Sequence, residues 1–134
     1  MVTELTVLEA KRFGVFSCSQ DCLLSVAARR IIEEDISTLV VVDQEGCLAG
    51  IITRTDLIKA WLNSPDWSTE PVSKFMNANV VTVTPQTRLS KVAEMLLKKQ
   101  IHRVVVVKEE NDCKKRPLSV VSATDLVYHM VNNE

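Results

Sequence analysis

The chain has 134 residues, 46% of them hydrophobic and 25% charged, which places it among ordinary globular chains large enough for one well-filled domain. A net charge of −1 gives no general attraction to nucleic acid or acidic membranes, and 4% aromatic content makes the core aliphatic. No run approaches the ~20 apolar residues of a membrane span, and Glu4 and Glu9 break up the first apolar stretch as no secretory signal would, so a cytoplasmic protein is expected, with neither membrane nor nucleic acid as partner.

Residues 1–12 precede the first repeated element, and Leu5, Val7 and Leu8 fit either a short helix or an extended arm. Val15-Phe16 reads as a short strand. Leu24, Ala27, Ala28 and Ile31 recur at i, i+3, i+4 and i+7, the apolar stripe of a helix. Residues 38–43 and 47–53 read as strands of a hairpin turning through Gln44-Glu45-Gly46, where glycine supplies positive φ. Leu57, Ile58, Trp61 and Leu62 line a second helix, and residues 63–71, broken by Pro65 and Pro71, read as a linker. A strand over 80–83 then ends at Thr84-Pro85, since proline cannot continue a ladder. Leu89, Val92, Ala93 and Leu96 mark a helix, and strands at 103–108 and 118–122 flank a polar loop over 108–116. Leu126, Val127, Met130 and Val131 line the last helix. The cysteines Cys18, Cys22, Cys47 and Cys113 match no zinc spacing and are expected to be reduced thiols, with no metal bound.

The second half repeats the first. Shifted by 65, Leu24 falls on Leu89, Ala28 on Ala93, Ile36 on Ile101, and Val40, Val41 and Val42 on Val105, Val106 and Val107. After the valines the shift is 69, and Thr55-Asp56-Leu57 falls on Thr124-Asp125-Leu126; the four extra residues sit in the 108–116 loop, where insertions cost little. The fold class is therefore α/β: a β-α-β-β-α unit twice, at 13–62 and 72–134. Each copy is too small to bury its faces well alone, so the two are expected to pack sheet to sheet about a pseudo-two-fold axis, leaving two related clefts.

Two constellations carry chemistry. His102-Arg103 stand at the start of a valine strand that reads as buried on both faces, and an arginine there can fork onto phosphate oxygens. Thr53-x-x-Asp56 joins a strand end to the first turn of a helix. Its carboxylate can accept both hydroxyls of a ribose, and the hydroxyl and free amides of the turn can face a phosphate. The same spacing is also a helix capping box, and both roles can coexist. Ser122-x-x-Asp125 repeats the motif, with Ser119 where the first copy has Gly50, which is expected to narrow the second cleft. With no glycine-rich phosphate loop, nucleophile elbow or metal-ligand cluster, the chain does not read as an enzyme.

The pieces VTVTPQTRLSKVAEMLLKKQIHRVVVV, GIITRTDL and SVVSATDL resemble a tandem pair of cystathionine-β-synthase (CBS) domains, a Bateman module, over about residues 12–132. The resemblance implies a non-catalytic regulatory module that binds an adenosine nucleotide (AMP, ADP or ATP) between the repeats and signals to a partner protein. S-adenosylmethionine is less favoured, because Arg103 suits a phosphorylated ligand. By the same resemblance Asp56 takes the ribose, Arg103 and His102 reach that nucleotide from the other repeat, and Val15 and Ile36 enclose its adenine, with Thr53 beside the phosphate. A second, weaker cleft is implied at Val80, Ile101, Ser122 and Asp125, where Thr38 offers a hydroxyl but no cation. The alternative is a dimeric protein-interaction module with no small-molecule ligand. Under either reading the apolar second helix of each repeat implies a homodimer.

Overall fold

The computed structural model describes residues 4–10 and 14–132. In chain order its elements are α1 (Val7–Ala10), β1 (Ser17–Ser19), α2 (Leu24–Glu33), β2 (Thr38–Val42), β3 (Leu48–Thr53), α3 (Arg54–Asn63), β4 (Thr82–Val83), α4 (Leu89–Lys99), β5 (Arg103–Glu110), β6 (Cys113–Ser122) and α5 (Ala123–Asn132). They form two compact units. One is continuous, Phe16–Val80; the other joins the described residues up to Val15 to those from Val81 onward.

The continuous unit is the expected β-α-β-β-α. Its sheet runs β1-β2-β3, with β1 parallel to β2 and β3 antiparallel, so that Thr38 faces Thr53 and Val40 faces Ile51. Leu24, Ala27 and Ile31 of α2 pack with Leu39, Val41, Ile52 and Ala60 in one core, the stripe that the helical periodicity marks. The first strand is Ser17–Ser19, slightly later than Val15-Phe16. Strand propensity favours the apolar pair, but the register is set by Cys18, whose buried side chain joins the core, while Phe16 is exposed and gives only its carbonyl, to the Val40 amide. Residues 64–80 also belong to this core. Val72 is fully buried, Trp67, Phe75 and Met76 pack beside it, and backbone bonds join Leu24 to Glu70 and Ile51 to Asn77. This segment has no helical or strand period to announce it, only apolar residues between prolines. Cys18 and Cys22 are free thiols, whereas Cys47 is disulfide-bonded and not reduced as expected.

In the other unit the sheet runs β4-β5-β6 with the same pattern of directions, and Arg103 faces Ser122. Of the two conformations open to Leu5, Val7 and Leu8, the short helix forms, although residues 1–3, 11 and 12 of that arm lie outside the described residues. A reciprocal cap opens the helix: the Thr6 amide donates to Glu9 Oε1 at 2.9 Å, and the Glu9 amide to Thr6 Oγ1 at 3.2 Å. Val7 is fully buried among Leu89, Val92, Leu96, Val104, Val106 and Val121, and its amide donates to the Thr87 carbonyl at 2.8 Å. The polar stretch 108–116 is a hairpin extension rather than a loop. Lys108 pairs with Arg116 and Glu110 with Cys113, while the Arg116 guanidinium donates to Glu110 at 2.6 Å and Asp112 at 3.3 Å. Charges that read as solvated in sequence pair locally around the turn, and Cys113 beneath them is buried and disulfide-bonded.

Candidate functional site

Each hairpin brings the start of its valine strand beside the end of the next strand, where the hydroxyl-x-x-Asp motif begins. In the continuous unit Thr53 ends β3 and caps α3. Its amide and its Oγ1 both donate to Asp56 Oδ2 at 2.9 Å, and the Asp56 amide donates back to Thr53 Oγ1 at 3.3 Å. The capping box is thus complete on one carboxylate oxygen. Asp56 Oδ1 has no partner among the described residues, and the side chain is half-buried, so an acceptor remains at the helix N-terminus beyond what the cap uses. The Arg54 amide donates to the Ser37 carbonyl at 3.2 Å, tying the start of α3 to the turn before β2. Thr38, directly across from Thr53, is buried, and its Oγ1 has no partner among the described residues.

The other unit repeats this arrangement. Ser122 Oγ and its amide donate to Asp125 Oδ2 at 3.1 and 2.8 Å, and the Asp125 amide returns a bond to Ser122 Oγ at 3.2 Å. The Ala123 amide donates to the His102 carbonyl at 2.9 Å, as Arg54 does to Ser37. His102 is exposed and Arg103 half-buried.

Of the positions assigned to adenine, Ile36 and Ile101 are half-buried and pack on their respective cores. Val15 and Val80 each precede a residue whose carbonyl joins a sheet, Phe16 to the Val40 amide and Val81 to the Val105 amide. Neither valine makes a backbone hydrogen bond among the described residues. The structure therefore gathers Ile36, Thr38, Thr53, Asp56 and Val80 in the continuous unit, and Val15, Ile101, His102, Arg103, Ser122 and Asp125 in the other.

Two features escaped sequence reasoning. Gly50 is needed for packing: a Cβ there would lie 2.8 Å from the Asn77 carbonyl oxygen and 2.9 Å from Met76 Sδ, so glycine lets residues 76–77 lie against β3. Its counterpart Ser119 is fully buried, with Oγ unpartnered among the described residues. The other feature is apolar exposure on the first helix of each repeat. Ile32 is 76% exposed and Leu97 80%, in addition to Trp61, Leu62, Val127 and Met130 on the second helices. The helical stripe marks which residues enter the core, and nothing in it marks a second apolar face. Among the described residues no cluster could hold a metal ion, and no helix is long and apolar enough to cross a membrane.

A family model described as "CBS domain" matches residues 7–63 and again 72–132. An uncharacterized 17.7 kDa protein of Acidianus ambivalens is 28% identical over 118 residues, covering 88% of this chain and 68% of that protein. Two further relatives are longer, and the chain spans 37% and 41% of them. Among solved structures, the CBS domain pair of protein MJ0100, in complex with 5'-methylthioadenosine and S-adenosyl-L-methionine, matches with TM-score 0.84 at 24% identity, covering 97% of this chain and 98% of that one. CBSX2 in complex with AMP matches with TM-score 0.79 at 20% identity, covering 94% and 96%. At these identities the structural likeness is one of fold.

Proposed function

The chain belongs to the CBS-domain family, and from that premise we propose that it is a non-catalytic regulatory module that binds an adenine nucleotide and passes the signal to a partner protein. Asp56 holds the ribose hydroxyls while Thr53 and the N-terminus of α3 attend the phosphate. Arg103 and His102 of the other repeat supply its positive charge, and Val15 and Ile36 enclose the base. Thr38, Val80, Ile101, Ser122 and Asp125 form the weaker second site. The observation that carries this reading is the unspent oxygen of Asp56: a pure helix cap needs one carboxylate oxygen, and here the other remains available. The AMP of CBSX2 and the adenosine ligands of MJ0100 support an adenosine-containing ligand. Arg103 favours AMP, ADP or ATP over S-adenosylmethionine. No step requires a metal or a bound cofactor.

A thermal-shift titration with AMP, ADP, ATP and S-adenosylmethionine tests the proposal. Ligand at 100 times its Kd adds about 2.7 kcal/mol, which a melting curve resolves. A rise with one adenine nucleotide supports the sensor. No response to any of the four favours a second reading, a ligand-free dimeric interaction module, to which the exposed apolar residues of α3 and α5 already point. In both readings the chain pairs with a second copy through these helices.

A further inference from the structure

Cys18 and Cys22 of the continuous unit have no part in the nucleotide site. Cys18 is the middle residue of β1, pairs with Val41 of β2, and is only 8% exposed. Cys22 is half-buried and packs on the same core. Both are free thiols. The chain between them makes a tight turn: the Cys22 amide donates to the Ser19 carbonyl at 3.1 Å, and the Gln20 amide donates to the Val42 carbonyl at 3.1 Å. Such a turn brings its first and last Cα atoms within about 7 Å. It is also pinned from outside, since the Val72 amide donates to the Cys22 carbonyl at 2.8 Å and the Ser73 amide to the Gln20 carbonyl at 3.1 Å. The backbone thus holds both thiols against one core, as neighbours in space.

The two thiols differ in access. Burial first, and then Cys22, hold the Cys18 thiol protonated, while Arg30, turned inward onto the Ser17 carbonyl, acts against this. A buried, protonated thiol is a poor nucleophile. Cys22 meets solvent, and its Sγ donates only a long bond, to the Leu23 carbonyl at 3.5 Å. Packing alone explains Cys18, which fills a core position as a small apolar side chain, but not a second, accessible sulfur beside it. An accessible thiol with another poised next to it is the arrangement that oxidises reversibly, because the first takes up oxygen and the second displaces it.

We propose that Cys18 and Cys22 form a reversible oxidation site, at which a peroxide joins the two sulfurs as a disulfide. The Cys22 thiolate attacks one peroxide oxygen. An S–O bond forms, the O–O bond breaks, and the other oxygen leaves as hydroxide, which takes up the proton that the Cys22 thiol released and becomes water. The Cys18 sulfur then attacks the Cys22 sulfur. The S–S bond forms, the S–O bond breaks, and the hydroxyl leaves with the Cys18 proton as a second water. Two electrons pass from the thiols to the peroxide, and a thiol reductant returns them. The new bond ties β1 to the start of α2. The site is independent of the nucleotide reading, whose residues it does not include.

The test treats the full chain with hydrogen peroxide, without reductant, at levels that leave its circular dichroism unchanged. The protein is then unfolded, alkylated and cut with trypsin. Cuts after Arg12 and Arg29 give one peptide, residues 13–29, that holds both thiols and neither Cys47 nor Cys113. From untreated protein this peptide should carry two alkyl groups. After peroxide it should carry none and be two hydrogens lighter, and dithiothreitol before alkylation should restore both groups. Cys18→Ala leaves Cys22 without its partner, so Cys22 should be trapped by dimedone as a sulfenic acid. Cys22→Ser, at a half-exposed position, should keep Cys18 open to alkylation after the same treatment. Two alkyl groups on the wild-type peptide after peroxide would overturn the proposal. So would Cys22 oxidised to sulfinic acid beside an intact Cys18 thiol, or oxidation of Cys18 in Cys22→Ser.

Discussion

Asp56→Asn and Thr53→Ala, taken together, separate the capping role of the motif from the ribose-binding role proposed for it. In Asp56→Asn the amide oxygen can still accept from the Thr53 amide and hydroxyl, each now at 2.9 Å from Oδ2. The box survives in geometry and loses only charge at the helix N-terminus, a cost of about 0.3–1 kcal/mol. The oxygen that is free in the native protein becomes an amide donor, so a ribose hydroxyl loses a charged acceptor worth about 1.5–3 kcal/mol. That corresponds to a Kd on the order of 10- to 100-fold weaker. Thr53→Ala weakens the cap itself and takes a hydroxyl from the proposed phosphate end, leaving the ribose acceptor in place. It removes the hydroxyl that receives the Asp56 amide at 3.3 Å, costing about 1 kcal/mol of stability, or about 3–5 °C in Tm for a chain of this size, while the Asp56 carboxylate remains. Calorimetric titration with AMP, ADP and ATP, alongside thermal melts of both variants, reads the two effects separately. If Asp56→Asn binds nucleotide like wild type, or if both variants lose only stability and by similar amounts, then the motif is a cap alone and the nucleotide site is misplaced.

Other consequences follow from the packing. Gly50→Ala forces the Asn77 carbonyl away from 2.8 Å and strains its bonds to Ile51; it should cost about 1–3 kcal/mol in a melt. Ser119→Ala removes a buried hydroxyl with no partner among the described residues and should be neutral or stabilising by up to ~1 kcal/mol, so a clear loss of Tm would mean that the hydroxyl is in use. Val7→Ala opens a void in a full core and should lower stability by about 2 kcal/mol, with hydrogen exchange rising in α4 and β5 rather than in α2 and β2. Burial and then the neighbouring Cys22 thiol push the Cys18 thiol from 9.0 up to about 12. The folded protein therefore keeps a proton that the unfolded chain releases, and stability falls as pH rises from about 9 to 12, by up to about 1.4 kcal/mol per unit. Urea melts across that range should show the slope in wild type and a flatter one in Cys18→Ala.

Local pattern determines much of this protein. The helical stripe from Leu24 to Ile31, its copy from Leu89 to Leu96, the valine strands and the two hydroxyl-x-x-Asp boxes are short-range features, set by periodicity and by side chains that bond three residues away. The repeat made each reading twice over, and the fold class followed. What the sequence could not decide were matters of which segments meet. Val7 and Val72 carry no period of their own, and each finds its core only because a distant helix and sheet leave a gap of its size. The same holds for Gly50, whose missing side chain matters because residues 76–77 pass against it, and for Ser17–Ser19, chosen as the first strand by the burial of Cys18 rather than by propensity. The charges of 108–116 paired instead of dissolving because the hairpin extended and brought Arg116 to Glu110. Contacts between residues close in sequence cost little chain entropy and so leave their mark in spacing. Those between distant segments are settled by volume and burial in the folded molecule, and spacing carries no record of them.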